Sequence, residues 1–285
     1  MAMSPINSIL DMIHSYNQKL KRLNINNGKQ EIIWYLESQN LLSLEELYSN
    51  QHTLNKAIED AIKYYYSLRK RNMPHQYILK SANFYGRDFY VDRRVLIPRP
   101  ETEQIIAILK QYKRSFDSCL EIGIGSGCIA LTLRLENIVK SIIGSDVSKD
   151  CLDVSKINQN RHQVNNMILL EHNILKDSFS KKFDLIVTNP PYITANEYNI
   201  LPKHIKEFEP RAALTDDNDG LIFYRRFSNI LHDILYCDGI FICELGSQHL
   251  INLIQQIFNN AGHTTTLHND LNGDARFLEV SPHYS

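Results

Sequence analysis

Apolar residues return at three- and four-residue steps early in the chain, with Ile6, Ile9, Leu10, Ile13 and Leu20 leading the series, which is the period of an amphipathic helix. Ser4-Pro5 supplies a cap and a first turn for it. Asn26-Asn27-Gly28 interrupts the pattern, residues 31–39 resume it, and Ser43-Leu44-Glu45-Glu46 has the form of a capping box opening a third helix. Residues 54–68 read as a fourth. The pattern predicts a small helical bundle over residues 1–74, with Trp34 inside it and Pro74 ending it. Residues 76–96 turn β-rich around Tyr85-Gly86-Arg87-Asp88, which predicts a hairpin linker across 75–97.

Beyond Pro98-Arg99-Pro100 the pattern changes again. Residues 118–122, 141–146, 167–171, 183–188 and 239–244 are short, nearly continuous apolar runs, with amphipathic stretches between several of them. Such runs are strands buried on both faces, and right-handed crossovers wind them into a parallel sheet covered by helices. The last two runs, 263–267 and 276–280, are joined by a polar loop containing glycine and predict an antiparallel edge. The expected fold is α/β: a Rossmann-like, mostly parallel sheet over 98–285, preceded by the bundle and the hairpin.

Composition narrows the classes. The 285 residues give a prior of about two domains, and 43% hydrophobic with 22% charged residues is ordinary for a globular protein. No apolar run approaches the roughly 20 residues of a spanning helix, and no basic segment precedes an apolar one at the N-terminus, so a cytoplasmic protein that does not touch the membrane is expected. Cys119, Cys128, Cys151, Cys237 and Cys243 form no C-x-x-C pair, and the histidines show no ligand spacing; no metal is expected. The formal net charge of −1 provides no global footprint for nucleic acid. The basic runs Lys19-Leu20-Lys21-Arg22 and Arg69-Lys70-Arg71 read as solvated helix ends.

The chemistry gathers at strand ends. Gly123-Ile124-Gly125-Ser126-Gly127 follows the first of the later strands and opens a helix at residues 128–135; its glycines let the backbone turn sharply and approach a ligand. Asp146 ends the next strand, 19 residues after Gly127, where a carboxylate accepts hydrogen bonds from two ribose hydroxyls. A dinucleotide fingerprint places its last glycine where Cys128 stands. The Gly-x-Gly-x-Gly spacing favours S-adenosylmethionine, which has no pyrophosphate, over NAD. At the third strand end, Asn173 is a candidate for the adenine edge and Ile174 for its face, beside the plainer reading of a polar strand terminus.

Asn189-Pro190-Pro191-Tyr192 follows residues 183–188 directly. The two prolines stiffen the loop, so the Asn189 side-chain oxygen and the Pro190 carbonyl become two fixed acceptors for a planar NH2 group, with the Tyr192 ring to lie against it. Asn189, Pro190 and Tyr192 are the catalytic candidates, and Asn189 through Tyr192 the substrate-binding ones. Alone, the motif reads equally well as a Pro-rich turn.

With these residues in view, the chain resembles the class I methyltransferases that carry an Asn-Pro-Pro-Tyr motif, and more narrowly the HemK/PrmC-type peptide chain release factor glutamine methyltransferases. The resemblance runs through Leu96-Ile97-Pro98-Arg99-Pro100-Glu101-Thr102-Glu103, Gly123–Gly127, Asp146, Asn189–Tyr192, Phe208-Glu209-Pro210-Arg211-Ala212-Ala213-Leu214, Asp219-Gly220 and Asp270-Leu271-Asn272-Gly273-Asp274-Ala275-Arg276. It implies a helical N-terminal substrate-recognition domain, S-adenosylmethionine as cofactor, and methylation of the side-chain amide of the glutamine in the Gly-Gly-Gln loop of class 1 release factors. A monomer without direct nucleic-acid contact is expected. Ile174 departs from the pattern, since some members carry an aromatic residue there. The competing reading is a methyltransferase for an exocyclic amine of adenine or guanine, which is also flat but demands base flipping and basic strand contacts. A non-catalytic binding module and an NAD-dependent oxidoreductase are weaker alternatives.

Overall fold

The computed structural model describes residues 8–49 and 54–282. They divide into two compact units, with the boundary between Ser81 and Ala82.

The first unit is helical: α1 (Ile9–Lys21), α2 (Gly28–Ser38), α3 (Leu44–Tyr48), α4 (Lys56–Lys70) and α5 (His75–Leu79). Ser4-Pro5 and Ile6 lie outside the described residues; Ser8 caps α1 by accepting from the Asp11 amide, a typical N-cap bond. The capping box at Ser43 forms with both of its hydrogen bonds. Trp34 departs from expectation, being 46% exposed. Ile32, Ile33 and Leu36 share the buried face of α2, and at 100° per residue Trp34 falls on the opposite side.

The seam between the units lies at Ser81/Ala82, not at 74, and packing explains the difference. Helix α5 stays with the bundle because Ile78 and Leu79 pack against its core and the Tyr65 hydroxyl meets His75 Nδ1 at 2.8 Å. The hairpin β1 (Ala82–Phe84) and β2 (Arg87–Phe89) belongs to the second unit, where Phe84 and Phe89 are fully buried in the sheet's core. Just beyond β2, Asn158 Oδ1 accepts from Tyr90 N and Nδ2 donates to Tyr90 O.

The second unit continues with α6 (Gln104–Lys110), β3 (Phe116–Ile122), α7 (Cys128–Leu135), β4 (Val139–Asp146), α8 (Lys149–Arg161), β5 (Met167–Glu171) and β6 (Phe183–Thr188). It then runs through α9 (Ala195–Ile200), α10 (Lys203–Phe208), α11 (Ile222–Ile234), β7 (Leu235–Glu244), α12 (Ile251–Asn260), β8 (His263–Asn269) and β9 (Ala275–Pro282). Seven strands form one sheet in the order β5-β4-β3-β6-β7-β9-β8. Pairing is parallel from β5 to β7. The antiparallel pairing sits at the far end as expected; the reversed strand there is β9, lying between β7 and β8.

Period-two alternation divides the core. Cys119, Leu185, Val187, Ile240 and Ile242 face the layer of α6 and α7, whereas Leu120, Ile186, Phe241 and Cys243 face α11 and α12. Each fully buried aliphatic or aromatic side chain contributes about 1.5–3 kcal/mol, so register is strongly enforced: a one-residue slip exchanges the two sets. Strand order reverses between β3 and β6, opening a crevice at their carboxyl ends.

Candidate active site

Register places the site. Ile122 of β3 pairs with Thr188 of β6, and Thr188 pairs with Cys243 of β7. The Thr188 hydroxyl donates to Ile122 O at 2.8 Å, tying the first two strand ends together. The next residue on each strand is therefore Gly123, Asn189 or Glu244, side by side at the top of the sheet.

Above them lies a cavity of ≈ 400 Å³. It is lined by Gly123, Ile124, Gly125 and Ser126 from the first loop, by Asp146, by Asn173 and Ile174, and by Asn189, Pro190 and Pro191. Residues predicted from four separate stretches of sequence thus converge. Gly127 and Tyr192 are not among the lining residues. Gly127, at φ +80°, is the N-cap of α7, and an added Cβ there meets Ser155 Oγ and Leu131 at 3.3 Å, so its role is to bring the loop into the helix. The Tyr192 ring lies on Gly246, where an added Cβ falls 2.0 Å from it; it braces the Asn-Pro-Pro loop from the apolar side.

The residues present fit S-adenosylmethionine. Gly123 and Gly125 hold φ of +71° and +53°, and a Cβ added at either reaches nothing within 4 Å, so bare main chain faces open space. The loop is held from beneath by Gly123 N and Ile124 N, both donating to Ser145 O. Asp146 is 9% exposed; its Oδ2 accepts from Gly125 N at 3.0 Å and Oδ1 from Ser148 N at 2.9 Å. Burial pushes its pKa up while those amides oppose the shift, and each oxygen keeps a second lone pair for a diol. Ile174 is buried at the cavity wall. Asn173 Oδ1 already accepts from Leu175 N in a local turn, leaving its Nδ2 for a ligand.

Glu121, fully buried one residue before the end of β3, accepts from Ala130 N at 2.8 Å and so satisfies an amide in the first turn of α7; burial holds its pKa well above the usual carboxylate range. A second layer of contacts joins segments distant in the chain. Arg99 Nη2 donates to both carboxylate oxygens of Glu209 at 2.8 Å, joining the Pro-Arg-Pro-Glu-Thr segment to the Phe-Glu-Pro segment. Pro210, Ala213, Thr215 and Asp216 close another side of the cavity. Thr102, in the 3-10 turn Pro100–Glu103, donates to Glu244 Oε2 at 2.6 Å and receives a 3.4 Å bond from Asn189 Nδ2. The shared Pro-Glu-Thr motif was the available signal; its partner, 142 residues away, was not visible in sequence.

The profile of the family "Methyltransferase small domain" matches residues 102–219. The chain is 35% identical to the release factor glutamine methyltransferase of Clostridium acetobutylicum over 72% of its own length and 74% of that protein. For the release factor glutamine methyltransferase of Bacillus subtilis the values are 35%, 76% and 78%. A bifunctional methyltransferase of Rickettsia bellii is 32% identical across 96% of this chain, which spans about half (55%) of that longer protein. In fold, a methyltransferase from Pyrococcus furiosus superposes with a TM-score of 0.53 at 20% identity, covering 69% of this chain and 88% of that one. Among the described residues no helix is long and apolar enough to cross a membrane. The strand order, the glycine loop beside the Asn-Pro-Pro-Tyr turn, and these identities together establish that the chain belongs to the release factor glutamine methyltransferases, a family of class I S-adenosylmethionine-dependent methyltransferases.

Proposed function

We propose that this enzyme methylates the side-chain amide nitrogen of the glutamine in the Gly-Gly-Gln loop of class 1 peptide chain release factors, a modification of the translation-termination machinery. The observation that supports the reading is that Gly123 and Asn189 directly follow the paired strand-end residues Ile122 and Thr188, so that a methyl donor on the first loop would meet a planar amide on the second.

S-adenosylmethionine supplies a sulfonium methyl that is already a strong electrophile. An amide nitrogen is a weak nucleophile because its lone pair is delocalised, so positioning is the protein's main task. Asn189 Oδ1 and the Pro190 carbonyl accept the two amide hydrogens and aim the nitrogen across the crevice. As positive charge grows on nitrogen these acceptors bind it more strongly, so their effect is largest in the transition state. Gly123, Ile124, Gly125, Ser126, Asp146, Asn173 and Ile174 hold the cofactor, with Gly127 shaping their loop. Tyr192, pressed on Gly246, stiffens the acceptor loop from behind; burial raises its phenol pKa, so it acts as a neutral brace. The helical unit, with Trp34, Tyr48 and Tyr64 exposed, recognises the release factor as a protein surface.

Incubation with labelled S-adenosylmethionine, a class 1 release factor and nucleic acid in parallel, followed by mass spectrometry, tests the assignment. Label on the Gly-Gly-Gln glutamine is expected. Label on nucleic acid alone selects the exocyclic-amine reading instead.

A further inference from the structure

We propose that Thr102 and Glu244 are positioning residues that set which end of the Asn189 amide faces the substrate. The inference rests on the amide-methylation reading above. An Asn side chain has a donor end and an acceptor end of nearly the same shape, and only the acceptor end suits an NH2 group. The prolines of the loop fix its backbone and leave that choice open.

The hydrogen-bond chain makes the choice. An ionised carboxylate only accepts, so the 2.6 Å contact from Thr102 Oγ1 to Glu244 Oε2 uses the one hydroxyl proton. The Thr102 oxygen is then left as an acceptor, and Asn189 Nδ2 donates to it at 3.4 Å. Oδ1 is turned the other way, to the substrate. Register supports the arrangement: Glu244 follows Cys243, which pairs with Thr188, so the carboxylate and the amide start from neighbouring positions.

Protonation of Glu244 reverses every link. The carboxylic acid donates to Thr102, the hydroxyl donates to Asn189 Oδ1, and Nδ2 is presented to a substrate that offers only hydrogens. Glu244 is 2% exposed, and burial raises its pKa to about 7 against the opposing Thr102 bond. Arg276 and Arg99 also favour the ionised form, while Glu101 disfavours it. The Tyr192 and Tyr224 phenols lie nearby, and Tyr224 donates to the Glu244 main-chain oxygen at 2.9 Å. Above about pH 7 the carboxylate is ionised and the acceptor end faces the substrate; as pH falls through that value the productive orientation is lost.

The test follows the Asn189 side-chain amide resonances in 15N-labelled full-length protein, assigned by their loss in Asn189→Ala, together with kcat against pH. Wild type is expected to show amide shifts and an acidic limb of kcat with a shared midpoint near 7. Thr102→Val is expected to abolish the amide titration and lower kcat about tenfold, an effect on the scale of one positioning bond, with unchanged S-adenosylmethionine affinity. Thr102→Ser restores both titration and rate. Amide resonances indifferent to pH in wild type, or titrating alike in Thr102→Val, overturn the relay even if the release factor is methylated. An intact titration with no methylation of the release factor supports the relay and overturns the substrate assignment alone.

Discussion

The loop after β3 and the loop after β6 leave paired strand ends, Ile122 and Thr188, yet they are built in opposite ways. The first contains three glycines at positive φ and offers bare main chain, held from beneath by Ser145 O and Asp146. The second is stiffened by two prolines, backed by the Tyr192 ring, and offers one oriented side chain. On the proposed reading, a cofactor that must bind and leave in each cycle is met by closely approachable main chain and a carboxylate. On the same reading, an amide that must be aimed at a methyl group is met by Asn189, whose amide is oriented by its bond to Thr102. Position on the sheet is thus shared, and the residue types divide binding from alignment.

Asn189→Ala strikes the aligning loop, and the largest effect is expected there: turnover of the release factor falls about a hundredfold, the scale of one lost transition-state hydrogen-bond partner. Near-wild-type turnover in a steady-state assay breaks the comparison at its centre. Gly125→Ala strikes the binding loop. A non-glycine residue at φ +53° costs about 1–2 kcal/mol, so S-adenosylmethionine affinity by calorimetry is expected to fall about tenfold with kcat at saturation retained. Unchanged affinity shows that the ligand does not approach the main chain there. Trp34→Ala lies outside both loops and is expected to raise KM for the release factor about tenfold, as an exposed aromatic anchor does, leaving kcat intact; an unchanged KM removes Trp34 from recognition. The smallest effect belongs to Arg99→Ala, which leaves the buried Glu209 carboxylate without its partner. A loss of about 1–2 kcal/mol, read as a fall of about 2–8 °C in Tm, sharpens the view that this pair joins two segments rather than performing chemistry.

Much of this arrangement was legible in the sequence. The apolar runs locate five parallel strands, although β5 at the sheet's edge leaves Ile168 and Leu170 exposed, and the glycine loop, Asp146 and Asn189 stand out by residue type at strand ends. Contacts between distant segments were not legible. Arg99 and Glu209 are 110 residues apart, and Thr102 and Glu244 are 142; their segments stand out in the sequence, but nothing local says which pairs with which. For Tyr192 the sequence offers a ring beside the acceptor loop but not what the ring packs on, which is Gly246. Hydrophobicity alone places Trp34 inside the bundle, whereas its angle on α2 puts it outside. Packing likewise places the hairpin, whose Phe84 and Phe89 are buried in the sheet's core.

The central claim, that one loop binds the donor and its neighbour aligns the acceptor, is tested most directly by measuring S-adenosylmethionine affinity and kcat at saturating cofactor on Asn189→Ala and Asp146→Ala in parallel. The account predicts a crossed pattern: Asn189→Ala keeps its affinity and loses turnover, while Asp146→Ala loses affinity and keeps most of its turnover once saturated. Two variants that lose the same quantity would contradict it.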